Sequence, residues 1–329
     1  MTRSILIQPL QLGSLILQNN VILAPMAGVN NTACRLIHKR AGAALLYSEM
    51  ISANGLIRAG SKTWELVDHA EEERPFALQL FGDDPAVLAE AVRRCQDQAD
   101  CIDINMGCPV RKVIRSGAGS ALLRDPAQVS RIVRAVRQAC QRPLTIKIRS
   151  GWDLQQLNFA EIATIVQDEG ADALILHPRT RCQGFGGQAN WNHFAILRPH
   201  LQIPLIASGD IFTAEAARHL LTQQLCDAVM IGRGGYGNPW LIRDILALNH
   251  PAPPAPPSLA ERGQTALEHL ELNCQLLGER QGCLDIRKHL CWYARGIDGA
   301  SDFRLQVNSC QSLLQLRHLI HHFFLRDRP

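Results

Sequence analysis

The feature that most constrains this chain is a recurrence: eight short apolar runs, each followed by a stretch with helical spacing. The runs occupy 21–27, 44–50, 76–82, 101–107, 144–150, 173–179, 204–210 and 228–234. Leu174-Ile175-Leu176 and Val229-Met230-Ile231 are apolar at consecutive positions. Strands covered by helices on both faces read this way, whereas a half-exposed antiparallel strand alternates. Between the runs lie stretches such as 126–139, where Asp125 and Pro126 supply an N-cap and a first-turn proline. Val129, Ile132, Val133 and Val136 then form one apolar stripe. Eight such units fit a closed (β/α)8 TIM barrel of parallel strands better than an open doubly wound sheet, and predict a catalytic domain over 1–248.

A barrel needs roughly 250 residues, and the chain has 329. Residues 249–258 carry prolines at 251, 253, 254, 256 and 257, which read as a stiff extended linker. Beyond it, 259–329 shows helical spacing, as in Leu267, Leu270 and Cys274, or Leu313, Leu316 and Ile320. An all-helical second domain is expected there.

The formal charge is only +4, so any surface for nucleic acid has to be local. Eleven cysteines occur without a single C-x-x-C pair, which reads as reduced thiols in a cytoplasmic protein, with no disulfide framework and no metal. The amino terminus lacks the pattern of a secretion signal, and no run approaches the roughly 20 apolar residues of a membrane helix. No exposed apolar stripe survives the helical reading, so a monomer is expected.

In a barrel the chemistry sits where the strands end. Here those ends are small and polar: Ala24 to Gly28, Ser48-Glu49-Met50, Gln79, Asn105 to Pro109, Lys147, His177-Pro178-Arg179, Ser208-Gly209-Asp210 and Gly232-Arg233-Gly234. Glycine-rich turns after the seventh and eighth strands form the usual anion site of the fold, and Arg233 can add a charged contact. With Lys147 deep in the barrel this predicts a phosphorylated cofactor across the mouth. A flavin fits, because a lysine beside it stabilises the anionic reduced ring while Gln79 offers an amide to its carbonyl edge. A salt bridge from Lys147 to a barrel carboxylate is the competing reading.

Among the cysteines, Cys140, Cys226 and Cys274 lie in apolar contexts and read as packing. Cys108 differs: it begins a loop, just ahead of Arg111, Lys112 and Arg115, and its thiol can serve as a general acid.

The ordered set 23–29 (LAPMAGV), 102–109 (IDINMGCP), 147–152 (KIRSGW) and 229–233 (VMIGR), followed by Arg287-Lys288-His289 and Trp292-Tyr293, resembles the tRNA-dihydrouridine synthases, most closely their bacterial B-type branch. The resemblance covers nearly the whole chain. It implies FMN as bound cofactor and NADPH as electron donor, with hydride passing to C6 of a uracil and Cys108 protonating C5. It assigns Pro25, Met26, Ala27, Gln79, Lys147, Gly209, Asp210, Gly232 and Arg233 to the flavin, and His177 and Arg179 to its border with the substrate. Asn105 would hold the uracil or ribose near the thiol.

A base inside folded RNA has to leave its stack to react, and phosphate contacts offset that cost. Arg287 and Arg295 lie two helical turns apart beside Lys288, His289, Trp292 and Tyr293. The cations of that helix, with Lys112 in the loop after Cys108, are expected to touch tRNA, and the aromatics mainly to pack.

Three positions depart from the family pattern: Asn30-Asn31 replaces Thr-Asp, Pro178 replaces the Gly between His and Arg, and Ser208 replaces Asn. Ser208 keeps a hydrogen bond for the cofactor, whereas Pro178 removes an N–H and fixes φ. Two other readings stay open at this stage: an FMN-dependent reductase of a small molecule, and a non-catalytic tRNA-binding protein that kept the fold.

Overall fold

The computed structural model describes residues 5–58 and 60–325. The outermost ends of the two expected domains, 1–4 and 326–329, lie outside the described residues.

Eight parallel strands follow one another around a barrel: β1 (Val21–Leu23), β2 (Leu46–Tyr47), β3 (Phe76–Phe81), β4 (Cys101–Met106), β5 (Leu144–Gly151), β6 (Ala173–Thr180), β7 (Leu205–Ser208) and β8 (Ala228–Ile231). β8 pairs with β1. Closure between β1 and β2 runs through Leu45, whose carbonyl accepts the Leu23 N–H at 3.0 Å, and through Ala44 N–H to Val21 O at 2.9 Å. The expected runs at 204–210 and 228–234 overshoot β7 and β8, because their Gly-rich ends leave the sheet as turns.

Side chains alternate between the two faces of a strand, and two apolar clusters record that period. Val21, Leu23, Leu78, Leu80, Ile102, Ile104, Ile146, Ile148, Leu174 and Leu176 belong to the layer packed against the helices. Ile22, Tyr47, Ala77, Cys101, Ala173, Ile175, Ile206, Ala228 and Met230 belong to a second cluster. Leu10, Leu12 and Leu17 join that second cluster from an antiparallel hairpin, Leu10–Leu12 paired with Leu15–Leu17. The strand positions next in the inward series are polar: Gln79, Asp103, Asn105, Thr145 and Lys147.

Outer helices begin where their caps predict. Asn31 starts α1 (Thr32–Arg40), its side chain accepting the Cys34 N–H. Asp125 starts α2 (Pro126–Ala139), which buries Val129, Ile132, Val133 and Val136. An N-cap of this kind contributes about 1 kcal/mol.

After the proline-rich stretch, Ser258 and Glu261 form a reciprocal capping box that starts α3 (Leu259–Leu277). α4 (Glu279–Tyr293), α5 (Ala300–Ser309) and α6 (Leu313–Ile320) complete a helical region with its own core around Leu270, Ile286, Leu290, Phe303 and Leu316. The proline-rich stretch is held at both sides: Arg243 donates to Ala255 O at 2.8 Å, and Asn249 Oδ1 accepts the Leu6 N–H at 2.9 Å. No helix among the described residues is long and apolar enough to cross a membrane.

The helical region rests on the barrel near the strand ends. Tyr236 stacks on Trp292 with ring centroids 4.3 Å apart. Gly237, at φ +62°, comes so close that a Cβ would lie 2.4 Å from the Trp292 carbonyl carbon. Asn31 Nδ2 donates to Asn273 Oδ1 at 2.7 Å and Asp285 Oδ2 at 2.8 Å. This departure from the family pattern therefore sits at the junction of barrel and helices, and a carboxylate in its place would face Asp285.

Candidate active site

The carboxyl ends of the strands enclose a cavity of about 320 Å3, within the usual range for small-molecule sites. All eleven residues assigned to the cofactor line it: Pro25, Met26, Ala27, Gln79, Lys147, His177, Ser208, Gly209, Asp210, Gly232 and Arg233. Cys108 and Asn105 line it too.

Its floor is a chain of buried hydrogen bonds. Thr145 Oγ1 donates to Asp103 Oδ1 at 2.6 Å, and Gln79 Nε2 donates to Asp103 Oδ2 at 2.7 Å. Gln79 Oε1 accepts from Asn105 Nδ2 at 2.8 Å. Asn105 Oδ1 in turn accepts the backbone N–H groups of Gly107 (3.1 Å) and Cys108 (2.8 Å). The Asn105 amide oxygen and both oxygens of the Asp103 carboxylate are thus engaged, which fixes the amide orientations and, through them, the start of the Cys108 loop. Burial pushes the Asp103 carboxyl up to about 6, against the pull of Thr145, Gln79 and the charge of Lys147.

Lys147 has no hydrogen-bond or ion-pair partner among the described residues. Burial first, and Arg149 second, push its ammonium down to about 8, while Asp103 and Cys108 hold it up. The expected competitor, a salt bridge to a barrel carboxylate, is absent among the described residues: Asp103 acts on Lys147 only through its field. Arg149 spends its guanidinium on the carbonyls of Gly107, Thr180 and Gly184. Burial and the neighbouring Arg179 push it down to about 10.

Cys108 is 9% exposed. Burial raises its thiol above the ordinary value, and the Val110 backbone, Arg149 and Lys147 oppose that shift without cancelling it. The cations that act on the sulfur therefore come from β5, and not from Arg111, Lys112 and Arg115, which follow it in sequence. The thiol stays protonated at neutral pH, the state a general acid requires.

At the opposite wall, Asp210 takes a left-handed φ of +57°. Its carboxylate accepts from Arg179 Nη2 (2.6 Å), Arg233 Nη2 (3.2 Å) and the Ala189 N–H (2.8 Å). These contacts hold a backbone conformation that a non-glycine residue rarely adopts. Arg179 itself is 2% exposed and lies behind the cavity wall. Its Nη1 donates to His177 Nε2 at 3.1 Å, so the His177 proton sits on Nδ1. Burial and the charges of Lys147, Arg149, Arg179 and Arg233 hold His177 well below the usual imidazole range. Gly234 lets the turn after β8 lie against the loop after β7, where a Cβ would come 2.2 Å from Ile211 O. That turn continues as one tight helical turn, Arg233–Gly235, whose first N–H groups have no partner within it.

The remaining assigned residues stand elsewhere. Lys112 is exposed, and the stretch expected to be a loop there is a short helix, Arg111–Arg115. Arg295 is exposed at the end of α4. Lys288 pairs with Asp285, and Arg287 donates to Cys310 O while its Nε is buried without a partner. Tyr293 is buried, with His269 Nδ1 3.1 Å from its hydroxyl. Of the two departures expected beside the flavin, Ser208 lines the cavity and Pro178 stays within β6 behind it. Arg149, Phe185, Phe212 and Tyr236 line the cavity without having been singled out. Arg149 was legible, since Thr145, Lys147 and Arg149 share one strand face. Phe185 and Phe212 lie in loops, where no period marks them. They flank Arg233, whose guanidinium carbon is 5.0 Å and 5.6 Å from their ring centroids.

A parallel barrel whose mouth gathers a half-buried, unpaired lysine, an arginine-bearing glycine turn and a protonated thiol defines a flavin-dependent oxidoreductase. The sequence comparisons carry this to a family. Residues 22–325 match the model of the dihydrouridine synthases, and the chain belongs to that family. It is 44% identical over 307 residues to tRNA-dihydrouridine synthase B of Xanthomonas axonopodis pv. citri, covering 92% of each chain. It is 40% identical over 305 residues to tRNA-dihydrouridine synthase B of Pseudomonas aeruginosa, covering 92% of this chain and 91% of that one. Solved structures share the barrel at low identity. A 2-naphthoyl-CoA reductase complex superimposes with a TM-score of 0.57 at 12% identity, over 72% of this chain and 51% of the other. A variant of NCR from Zymomonas mobilis gives 0.54 at 17%, over 77% and 94%.

Proposed function

We propose that this chain uses FMN and NADPH to reduce a uridine in tRNA to 5,6-dihydrouridine. The observation that carries the reading is the pairing, in one cavity, of a protonated Cys108 with an unpartnered Lys147.

The residues fit FMN. Four cations, Lys147, Arg149, Arg179 and Arg233, act together on His177, and the acids among them are Asp210 and the buried Asp103. That excess of positive charge suits a phosphate at the Gly232-Arg233-Gly234 turn and a ring that becomes anionic on reduction. FMN, when bound, supplies the hydride that reaches C6 of the uracil. Cys108 donates its proton to C5, so that one hydride and one proton complete the addition across the double bond, leaving a thiolate that regains its proton from solvent. Lys147 and Arg149 hold that thiolate's charge. Asn105 sets the position of the Cys108 backbone and, with Gln79, offers amide groups to the bound rings. His177 presents Nδ1–H as a neutral donor.

A uracil reaches this cavity only when extruded from the RNA. The exposed cations Lys112 and Arg295 are suited to phosphates around the mouth, while Tyr293 serves the helical packing and Trp292 the stack on Tyr236 of the barrel. The domain organisation that goes with this reading is a catalytic barrel over 1–248, a linker at 249–258 and a tRNA-binding helical domain from 259.

The test is mass spectrometry of tRNA from cells with and without the gene. A uridine that becomes two hydrogens lighter in the deletion, and is restored by the wild-type chain, supports the reading. Unchanged tRNA in cells that lack a redundant enzyme would replace it with reduction of a small molecule.

A further inference from the structure

The absence of paired cysteines in the sequence argues against a metal. The fold nevertheless gathers three ligand-type side chains from distant positions. The Cys34 sulfur and one ring nitrogen each of His269 and His289 lie within 4.8 Å of one another, and all three residues are buried. Cys34 stands on α1 of the barrel, His269 on α3 and His289 on α4, so the cluster bridges the junction between barrel and helical region.

From this geometry we infer that Cys34, His269 and His289 form a site for one zinc-type divalent ion, which would fasten the helical region to the barrel. A second observation points to a ligand there. The Nε2 atoms of His269 and His289 are buried without any hydrogen-bond partner, although the residues are only 1% and 2% exposed. Interior polar atoms are rarely left unmatched. Two imidazoles, each with one unmatched nitrogen, and one thiol in the same cluster make a donor set that suits zinc and related ions. His269 is already oriented as a ligand would be, with its Nδ1 3.1 Å from the Tyr293 hydroxyl and its Nε2 free.

The neighbours define the rest of the site. His38 is not a fourth ligand, because its ring nitrogens lie 2.8 Å from Cys34 O and 3.1 Å from Gly235 O. The fourth position falls to water. Bonds of about 2.0–2.3 Å at tetrahedral angles need donor atoms roughly 3.3–3.6 Å apart, so binding draws the three side chains together. On binding, the Cys34 thiol releases its proton and the thiolate bonds the ion. The thiolate itself cancels one of the ion's two charges, and the sulfur stands in the field of the cations Arg35 and Lys288 and, more weakly, of the carboxylates of Asp285 and Glu49.

The experiment uses the purified flavoprotein with its thiols reduced. It is incubated with one equivalent of Zn(II) and desalted, and zinc and flavin are counted. One zinc per chain is expected in the wild type and in Cys182→Ser, which removes the exposed cysteine. Zinc is expected to be lost from Cys34→Ser and from His289→Gln, with flavin retained. Co(II) should give thiolate charge-transfer absorption in the wild type that Cys34→Ser lacks. Should the variants fail to fold, the wild type alone decides: Zn(II) should raise its Tm and a chelator should reverse the rise. A wild type that keeps no zinc and shows no shift, or variants that keep as much zinc as the wild type, would overturn the site. None of these readouts depends on tRNA reduction.

Discussion

The side-chain oxygen of Asn105 accepts the backbone N–H of Cys108 at 2.8 Å, while its amide nitrogen donates to Gln79. A strand residue thereby sets where the loop begins and where the thiol stands. Asn105→Ala should leave two loop N–H groups without their acceptor and cost about 1–3 kcal/mol of stability. Displacing the thiol by an ångström should slow uridine reduction on the order of 100-fold. Single-turnover reduction of unmodified tRNA, with the flavin spectrum as the check on folding, measures both. An unchanged rate would remove Asn105 from the positioning of Cys108.

Cys108→Ala should slow dihydrouridine formation by roughly 100- to 10,000-fold, the range of general acid catalysis. Flavin content and its bleaching by NADPH should hardly change. Because burial raises the thiol above its ordinary value, the wild-type proton-transfer step should stay flat through neutral pH and decline only above the usual cysteine range. Rapid-quench product analysis across pH gives both readouts, and a decline beginning below pH 8 would assign the proton to another group.

Lys147 sits below its ordinary value, at about 8 in the flavin-free protein. Its charge is therefore present below pH 8 and lost as pH rises through it. FMN bound next to that charge should bind progressively more weakly above pH 8, approaching about tenfold per pH unit. Lys147→Met should bind FMN weakly at every pH and lose this dependence. Titration of flavin-stripped protein by fluorescence quenching is the measurement. A wild-type affinity constant from pH 7 to 9.5 would count against the role.

Arg179 and Arg233 both hold Asp210, yet only Arg179 is fully buried. Arg179→Ala removes the shorter ion pair of Asp210, leaving it Arg233 and the Ala189 N–H, and frees the carbonyls of Gly186 and Gly187. Breaking such a pair costs about 3–5 kcal/mol when both partners are buried. With Asp210 one-fifth exposed, the low end is expected. Arg233→Ala, at 36% exposure, should cost much less stability but more FMN affinity. Denaturant midpoints and flavin titrations separate the two, and equal losses of stability would contradict the distinction.

The cations in and just after α4 divide in the same way. Arg295→Ala should weaken tRNA binding and reduce its salt slope by about one. Arg287, tied to Cys310 O, should lower stability when replaced and leave the slope alone. Filter binding at several salt concentrations tests this, and a slope that responds to Arg287 instead would relocate the RNA surface.

Much of this molecule was legible along the chain. The eight runs and the stripe at Val129, Ile132, Val133 and Val136 report burial and backbone geometry, which are local properties written every two or four residues. The strand-end rule then sufficed to bring Pro25, Gln79, Lys147, Gly209 and Arg233 to one cavity, because parallel strands all finish on the same side.

Tertiary structure decided what depends on neighbours distant in sequence. The cations that act on Cys108 are Lys147 and Arg149 from the next strand, and not Arg111, Lys112 and Arg115 just beyond it in sequence. Arg179 is a buried brace for Asp210 and His177, while Phe185 and Phe212 are brought to the mouth by loops without period. Asn31 joins Asn273 and Asp285 across 242 and 254 residues, and Cys34 meets His269 and His289 in the same junction. Propensity and pattern act over a few residues. Desolvation, charge and ligand geometry act through space, and only the folded chain sets which groups share it.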